Sequence, residues 1–334
     1  MGKVLCGGSI LTPWPDPVYI GKIYGFRVNR VRRVGGVWRL ETDKGAFALK
    51  KAPLPRAASF LRVAEKRLRQ HGFDRFPACV CTRQNEPECQ APSGERYVLR
   101  TWLAGEAPIL DMEHKYDLER TAGCVAALHQ AGKDCPGKTA GETWQRRIPA
   151  MTDAIGLFAT SGEPRGRFAR LYQGHTAAAL EEAETSLLML KDAEDQAADG
   201  FLGFCHGDLA PNNALVLGEH IFLLDFDRAE INTQVYDLAT LIRRVASASG
   251  WQPSIGEIIL GAYQRLQPLA PAEIRLLGAF LHWPQQFWRL GHQYYVEKLA
   301  RSERYFCDQL WHWNNQSAAR RLFLHRIRLV SQQA

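Results

Sequence analysis

The sequence predicts an α+β fold of two lobes: a small β-rich N-terminal lobe over residues 1–101, and a larger, mainly helical C-terminal lobe over residues 102–334. Three observations lead there. In residues 24–51 the segments FRVNRVRRV, VWRLET and AFALKK are separated by turn signals at Gly35-Gly36 and Asp43-Lys44-Gly45, the pattern of an antiparallel meander. Beyond Gly105 apolar residues recur at helical spacing, as in YDLERTAGCVAALHQAG, which stops at Gly132. The stretch FCHGDLAPNNALVLGEHIFLLDFDRAEI then interrupts the helical region with two short strands and gathers carboxylates and amides between apolar runs.

The elements follow in order. TPWPDP reads as an extended, irregular lead-in. Pro53 and Pro55 end the meander, and RAASFLRVAEKRLRQHG is a helix, with Phe60, Leu61, Ala64 and Leu68 near helical spacing and Gly72 as a stop. RYVLRTWLAGE is a short strand running into a loop at Ala104-Gly105. KDCPGKTAGE is loop-like, and FARLYQGHTAAALEEAETSLLMLKDAEDQ is one long helix. Residues 215–217 and 221–224 make a hairpin around Gly218, and helices resume from Tyr236. No internal repeat or low-complexity segment is present. A cleft between a β-rich and a helical lobe is a natural ligand site.

Composition narrows the function classes. Hydrophobic residues are 46% and charged residues 23% of 334, ordinary for a globular protein with a large core. No apolar run approaches the roughly 20 residues of a membrane helix, so no membrane span is expected. MGKVLCGGSILTPWP lacks a sustained apolar region, so no secretory signal is expected; Cys6 stands where a myristoylation site needs Ser or Thr. The eight cysteines form no CxxC pair and lack matching His spacing, which argues against structural zinc and for a reducing, cytoplasmic compartment. The formal charge of +7 is spread over many short Arg clusters without a nucleic-acid motif, so it reads as a solvated basic surface and no nucleic acid is expected.

The chemistry concentrates after Phe204. His206, Asp208 and Asn213 keep the spacing H-x-D-x-x-x-x-N, and Asp225-Phe226-Asp227 follows at the end of the next hairpin. One residue precedes the first strand of that hairpin and another ends the second, so Asn213 and Asp225 are expected near each other. Phosphoryl transfer asks for this set: a carboxylate to orient the attacking hydroxyl and take its proton, and a carboxylate with an amide oxygen to hold Mg²⁺ on nucleotide phosphates. The plain alternative is a set of turn and cap residues, but the four groups fall in register. FALK supplies Lys50 on the third strand, where alternation puts Ala46, Ala48 and Lys50 on one face and Lys51 on the other. Alone, Lys50 would read as a surface lysine. Glu65 on the following helix is the expected partner of Lys50, its plain alternative being an exposed helical Glu. Two departures stand out: no GxGxxG joins the first two strands, and the last motif is D-F-D instead of D-F-G. Asp227 is either a ligand to a second metal or a solvated turn residue.

HGDLAPNN, LLDFDRAEINTQVYDLATLIRRV and AFALKK resemble the aminoglycoside phosphotransferase and choline kinase-like group. Within it, ETDKGAFALKK, VYDLATLIRRV and FLHWPQQFWRLGHQYY resemble the CotS-type spore coat proteins of endospore-forming bacteria. The resemblance covers most of the chain from about Tyr24. It implies a bilobal protein kinase-like fold with ATP and Mg²⁺ in the cleft. It implies Asp208 as catalytic base, Asn213 and Asp225 as metal ligands, and Lys50 on the nucleotide phosphates. Backbone atoms at Thr101, Trp102 and Leu103 would meet the adenine, and His206 would brace the catalytic loop. Asp237 would tie down that loop, and His129 would be structural.

Three functions compete. The first is an ATP-dependent kinase of a small-molecule or envelope-associated hydroxyl acceptor. The aromatic tail, with Trp283, Phe287, Trp288, Tyr294 and Tyr295, either lines the acceptor pocket or packs as helical core. The second is a catalytically weak or inactive kinase-fold component of the spore coat, with coat proteins as partners. The third, a metal-dependent hydrolase using Asp208, Asp225 and Asp227, leaves Lys50 unexplained. RAEINTQVYDLA is too short for an activation loop, which favours unregulated small-molecule transfer.

Overall fold

The computed structural model describes residues 14–52, 57–137, 142–160, 166–194 and 202–333. Pro53 and Pro55 lie outside these residues, as do the middle of KDCPGKTAGE and the last residues of the predicted long helix. The chain divides into two compact units: residues 1–106 with 215–227, and residues 107–214 with 228–334.

The described part of TPWPDP, Trp14 to Asp16, is irregular as expected, and a helix the sequence did not predict, α1 (Pro17–Tyr24), follows it. Its ends follow from local chemistry. The Asp16 carboxylate accepts from the amides of Val18 and Tyr19, Pro17 starts the helix, and Gly25 closes it at φ 76°. Eight residues are too few for a periodic signal. Its Ile20 and Tyr24 are buried in the unit's core.

The expected meander follows as β1 (Val28–Val34), β2 (Val37–Thr42) and β3 (Gly45–Lys51), all antiparallel. Gly35 and Gly36 make a two-residue turn between Val34 and Val37, with Gly35 at φ 56°. Next come α2 (Ala57–Gln70), β4 (Cys79–Val80), β5 (Glu88–Gln90) and β6 (Arg96–Thr101). The sheet order is β1-β2-β3-β6-β4, with β5 also on β6. β4 and β5 are too short to show alternation in the sequence. Leu40, Phe47, Leu49, Tyr97 and Leu99 form the core under the sheet, each contributing about 1.5–3 kcal/mol through its burial. Phe47 and Leu49 point into it, which turns Ala48 and Lys50 to the other face.

The second unit is mainly helical. It holds α3 (Lys115–Ala131), α4 (Trp144–Thr160), α5 (Arg167–Glu194) and the short strand β7 (Leu202–Cys205). The hairpin of β8 (Ala214–Leu217) and β9 (His220–Leu223) carries the chain back to the first unit from Leu215 onward. The hairpin is a separate two-stranded sheet whose backbone is bonded to first-unit residues outside the six-stranded sheet. Val216 and Glu106 exchange amide bonds, and the Leu223 amide donates to the Arg75 carbonyl. β10 (Glu230–Thr233) returns to pair with β7, and α6 (Gln234–Ala248) begins two residues before the expected Tyr236. Then follow α7 (Pro253–Gln264), α8 (Pro271–His282), α9 (Gln285–Gly291), α10 (Glu303–Asn315) and α11 (Ser317–Gln333).

Of the aromatic tail, Trp283 and Phe287 are buried, and Trp288, Tyr294 and Tyr295 are partly buried against the core. Phe287 stacks on Tyr172 with centroids 4.2 Å apart, and both sit among Phe168, Phe306 and Trp313. Trp283 is buried and donates to Thr152 Oγ1. Among the described residues no helix is long and apolar enough to cross a membrane. The chain thus joins a β-sheet N-terminal region to a mainly helical C-terminal part, the fold the sequence predicts.

Candidate active site

In the second unit, β7 delivers His206, Gly207 and Asp208 into a tight loop. The start of that loop is fixed from three sides. Gly132 ends α3 against β7, accepting the Phe204 amide on its carbonyl. The Gln234 amide group donates to the His129 and Phe204 carbonyls, tying α3, β7 and α6 together. Gly207 sits at φ 76°, and a Cβ there would lie 2.1 Å from the Arg228 carbonyl oxygen, so the position requires glycine.

Asp237 in the first turn of α6 holds the loop as expected. Its carboxylate accepts the backbone amides of His206 at 2.5 Å and Gly207 at 3.0 Å. The His129 ring reaches it at 3.4 Å and is anchored on its other nitrogen by Tyr263 Oη at 2.8 Å. His206 is fully buried, and its Nδ1 accepts the Asp208 amide at 3.3 Å. That geometry uses the ring as a brace. Asn213, at the end of a 3₁₀ turn over Pro211–Asn213, donates through Nδ2 to the Asp208 carbonyl at 2.9 Å. The amide orientation leaves Oδ1 as the acceptor, the atom a hard cation would use.

The Asp208 carboxylate is about one-third exposed and pairs with Arg244 at 2.6 Å. Sequence reasoning missed this arginine. A signal for it existed: Arg244 is seven residues after Asp237 on one helix, so both fall on the same face. That face meets residues 206–208 along its length.

In the first unit, Lys50 is bracketed by two carboxylates. Its Nζ lies 2.5 Å from Asp225 Oδ1 and 2.6 Å from Asp227 Oδ2. Burial pulls the Lys50 pKa down, but the hydrogen bonds from Asp225 and Asp227 outweigh it and leave the group raised above its usual 10.5. Burial pushes the Asp227 carboxyl above the usual aspartate range, against the pull of Lys50. Asp225 has φ 63°, an uncommon conformation for a residue with a Cβ and one that clusters at functional sites. Phe226 packs edge-on against Phe76, anchoring the turn between the two carboxylates.

Two carboxylates around one ammonium leave a net charge of −1. The donors are all hard oxygens, which suits Mg²⁺ more than a transition metal. Among the described residues no group of three or more His, Cys, Asp or Glu could hold a metal. A metal held by Asp225 and Asp227 would have few protein ligands and would complete its shell with water or phosphate oxygens, as Mg²⁺ commonly does.

The expected Lys50–Glu65 pair is not made. Glu65 is buried under the sheet's edge, where its carboxylate accepts from Arg100 and the Cys79 amide and faces Arg69. Arg100 neighbours Ala48 across β3 and β6, and its guanidinium claims the acid that Lys50 was expected to use. Of the three expected hinge residues, Thr101 gives its amide to the Ala78 carbonyl and Trp102 gives its amide to the Ala46 carbonyl. The Trp102 ring lies under Arg39. Leu103 follows, half-buried, with no such backbone bond among the described residues.

The sequence matches the APH phosphotransferase enzyme family over residues 33–277. It is 22% identical over 296 residues to spore coat protein S of Bacillus subtilis, covering 83% of this chain and 81% of that protein. Its fold is similar to that of an aminoglycoside phosphotransferase from Alicyclobacillus acidocaldarius. There the TM-score is 0.81 at 21% identity, with 98% of this chain and 99% of the other covered. A spectinomycin phosphotransferase solved with ADP and spectinomycin is similar at a TM-score of 0.66 and 11% identity, covering 95% and 98% of the two chains. With the family match spanning well over half of its length, the chain belongs to the APH phosphotransferase enzyme family.

Proposed function

We propose that the protein transfers the γ-phosphoryl group of ATP, with Mg²⁺, to a hydroxyl group of a small-molecule or envelope-associated acceptor. The observation that supports this most is the meeting of Lys50 with Asp225, 175 residues away in sequence, and with Asp227 beside it. Together they offer a cation for phosphate oxygens and anionic ligands for a metal.

The roles follow from chemistry. Asp208 orients the acceptor hydroxyl and takes its proton. Arg244 holds that carboxylate in one orientation. Asn213, Asp225 and Asp227 are the proposed metal ligands, and bound Mg²⁺ would neutralise charge on the transferring phosphates. Lys50, now held by the two acids, would shift its hydrogen bonds to phosphate oxygens. Leu103, after the spent amides of Thr101 and Trp102, is the proposed backbone contact for adenine. Glu65 acts at one remove, by fixing Arg100 and the β4 edge. Nucleotide use is further supported by the ADP in the spectinomycin phosphotransferase structure. The cytoplasm is the proposed compartment.

Calorimetry of MgATP binding to wild type and Asp225→Ala tests the reading. We expect magnesium-dependent binding that disappears in the variant, and acceptor phosphorylation that falls about 10²–10⁴-fold in Asp208→Ala. No binding at millimolar ATP would sink it. The similarity to spore coat protein S favours a second reading, a catalytically weak component of the spore coat that binds coat proteins. On that reading Asp208→Ala leaves coat assembly unchanged while surface Arg substitutions disturb it.

A further inference from the structure

A cavity of about 470 Å³ opens within the second unit between α6, α9 and α10. Its size suits a small molecule. Arg243, Arg244, Arg289 and His312 line it, and among the described residues no Asp or Glu does. Arg244 is the link to the chemistry, because its guanidinium also holds the Asp208 carboxylate.

Arg243 is the telling residue. It is only 8% exposed, yet no carboxylate pairs with it among the described residues. Its Nη1 donates to Gln285 Oε1, its Nη2 donates to the Phe280 carbonyl, and its buried Nε has no partner among the described residues. Both acceptors are neutral. Gln285 is itself fixed, since its amide group donates to Tyr236 Oη at 2.6 Å. Burial pulls the Arg243 pKa down, Tyr236 raises it, and the charge on Arg244 lowers it further. A buried guanidinium with neutral partners, beside two more arginines, is a charge still to be compensated. Planar guanidinium groups meet carboxylates and phosphates through paired, charge-assisted hydrogen bonds.

Resting on the phosphotransferase reading above, we infer that this cavity takes the acceptor, and that the acceptor is a small hydroxylated anion, a carboxylate or a phosphate monoester. Its anionic group lies among Arg243, Arg244 and Arg289 while its hydroxyl faces Asp208. In the transfer, the acceptor oxygen forms a bond to the γ-phosphorus of ATP. The bond from that phosphorus to the bridging oxygen breaks, ADP leaves with the electron pair, and the hydroxyl proton passes to Asp208. A cationic acceptor would place its charge among three guanidinium groups, with no carboxylate lining the cavity among the described residues.

The test measures MgATP-dependent phosphorylation of gluconate, glycerol 3-phosphate, glycerol and glucosamine, with MgATP and gluconate binding followed by calorimetry in the same samples. We expect one of the two anions to be preferred, which also identifies the anionic group. We expect Arg289→Ala to raise its KM about tenfold with little change in kcat, as the loss of one charge-assisted contact does, and Arg289→Lys to recover part of it. Arg289 is exposed, so the fold does not depend on it. Preference for glycerol or glucosamine, or an unchanged KM in Arg289→Ala, with MgATP still bound, overturns the anionic acceptor and leaves the phosphotransferase reading intact. Gluconate binding without MgATP binding removes the phosphotransferase reading and the acceptor role together. Binding of neither overturns both.

Discussion

Asp237 carries more structure than its place at a helix start suggests. It is 2% exposed and accepts two backbone amides from the loop that presents Asp208. Removing it strands those amides and His129 in a dry interior. Each buried unsatisfied group costs about 1–3 kcal/mol, so Asp237→Ala should cost about 3 kcal/mol or more in urea denaturation. A loss under about 1 kcal/mol would mean the clamp is dispensable. Lys50 gives a prediction in pH. Its folded pKa is raised, so the stability it contributes is fully present below 10.5 and is lost as pH rises through the raised value. The stability difference between wild type and Lys50→Met should be flat from pH 7 to about 9.5 and shrink above about 10.5. A difference that grows with alkalinity would contradict the pairing with Asp225 and Asp227. Burial pushes the Cys79 thiol up to about 12, so Cys79 should resist alkylation at neutral pH, as mass spectrometry of the labelled protein would show.

At the scale of elements, helix ends and strand faces explain what could be read in the chain. β3 was legible because Phe47 and Leu49 alternate with Ala48 and Lys50. α2, α3 and α5 were legible from periodicity, and α2 and α3 also from their glycine stops at Gly72 and Gly132. α1 was not, although Asp16, Pro17 and Gly25 are its start and stop signals, because eight residues give too short a window. Asp16→Ala should cost about 1 kcal/mol, read as a lowered melting temperature for the unit that carries α1. An unchanged melt would show that burial of Ile20 and Tyr24 alone holds the helix. The catalytic-type loop was legible from spacing, since His206, Asp208 and Asn213 all act within one turn of chain. The partner of Glu65 was not: Arg100 comes from a strand whose register no local pattern reveals.

For the whole molecule, the hairpin of β8 and β9 decides where the first unit ends. It joins residues 1–106 through Glu106, Val216, Leu223 and Arg75, and it brings Asp225 and Asp227 to Lys50. A fragment of residues 1–106 lacks those partners. It should unfold at lower urea and less cooperatively than the same region in the full chain, as followed by hydrogen exchange at β3 and β6. Equal protection in both would show that the hairpin is a passenger. The sequence by itself determined the meander, the helices α2, α3 and α5, and the loop that carries Asp208 and Asn213, because these depend on period, turn chemistry and spacing within a few residues. Only the tertiary structure decided which charges meet. Lys50 with Asp225 spans 175 residues, Asp208 with Arg244 spans 36, and Glu65 with Arg100 spans 35. Each such pair is fixed by how separate elements pack and which face they turn inward, and any arginine of the right reach satisfies the local pattern equally well until that packing exists.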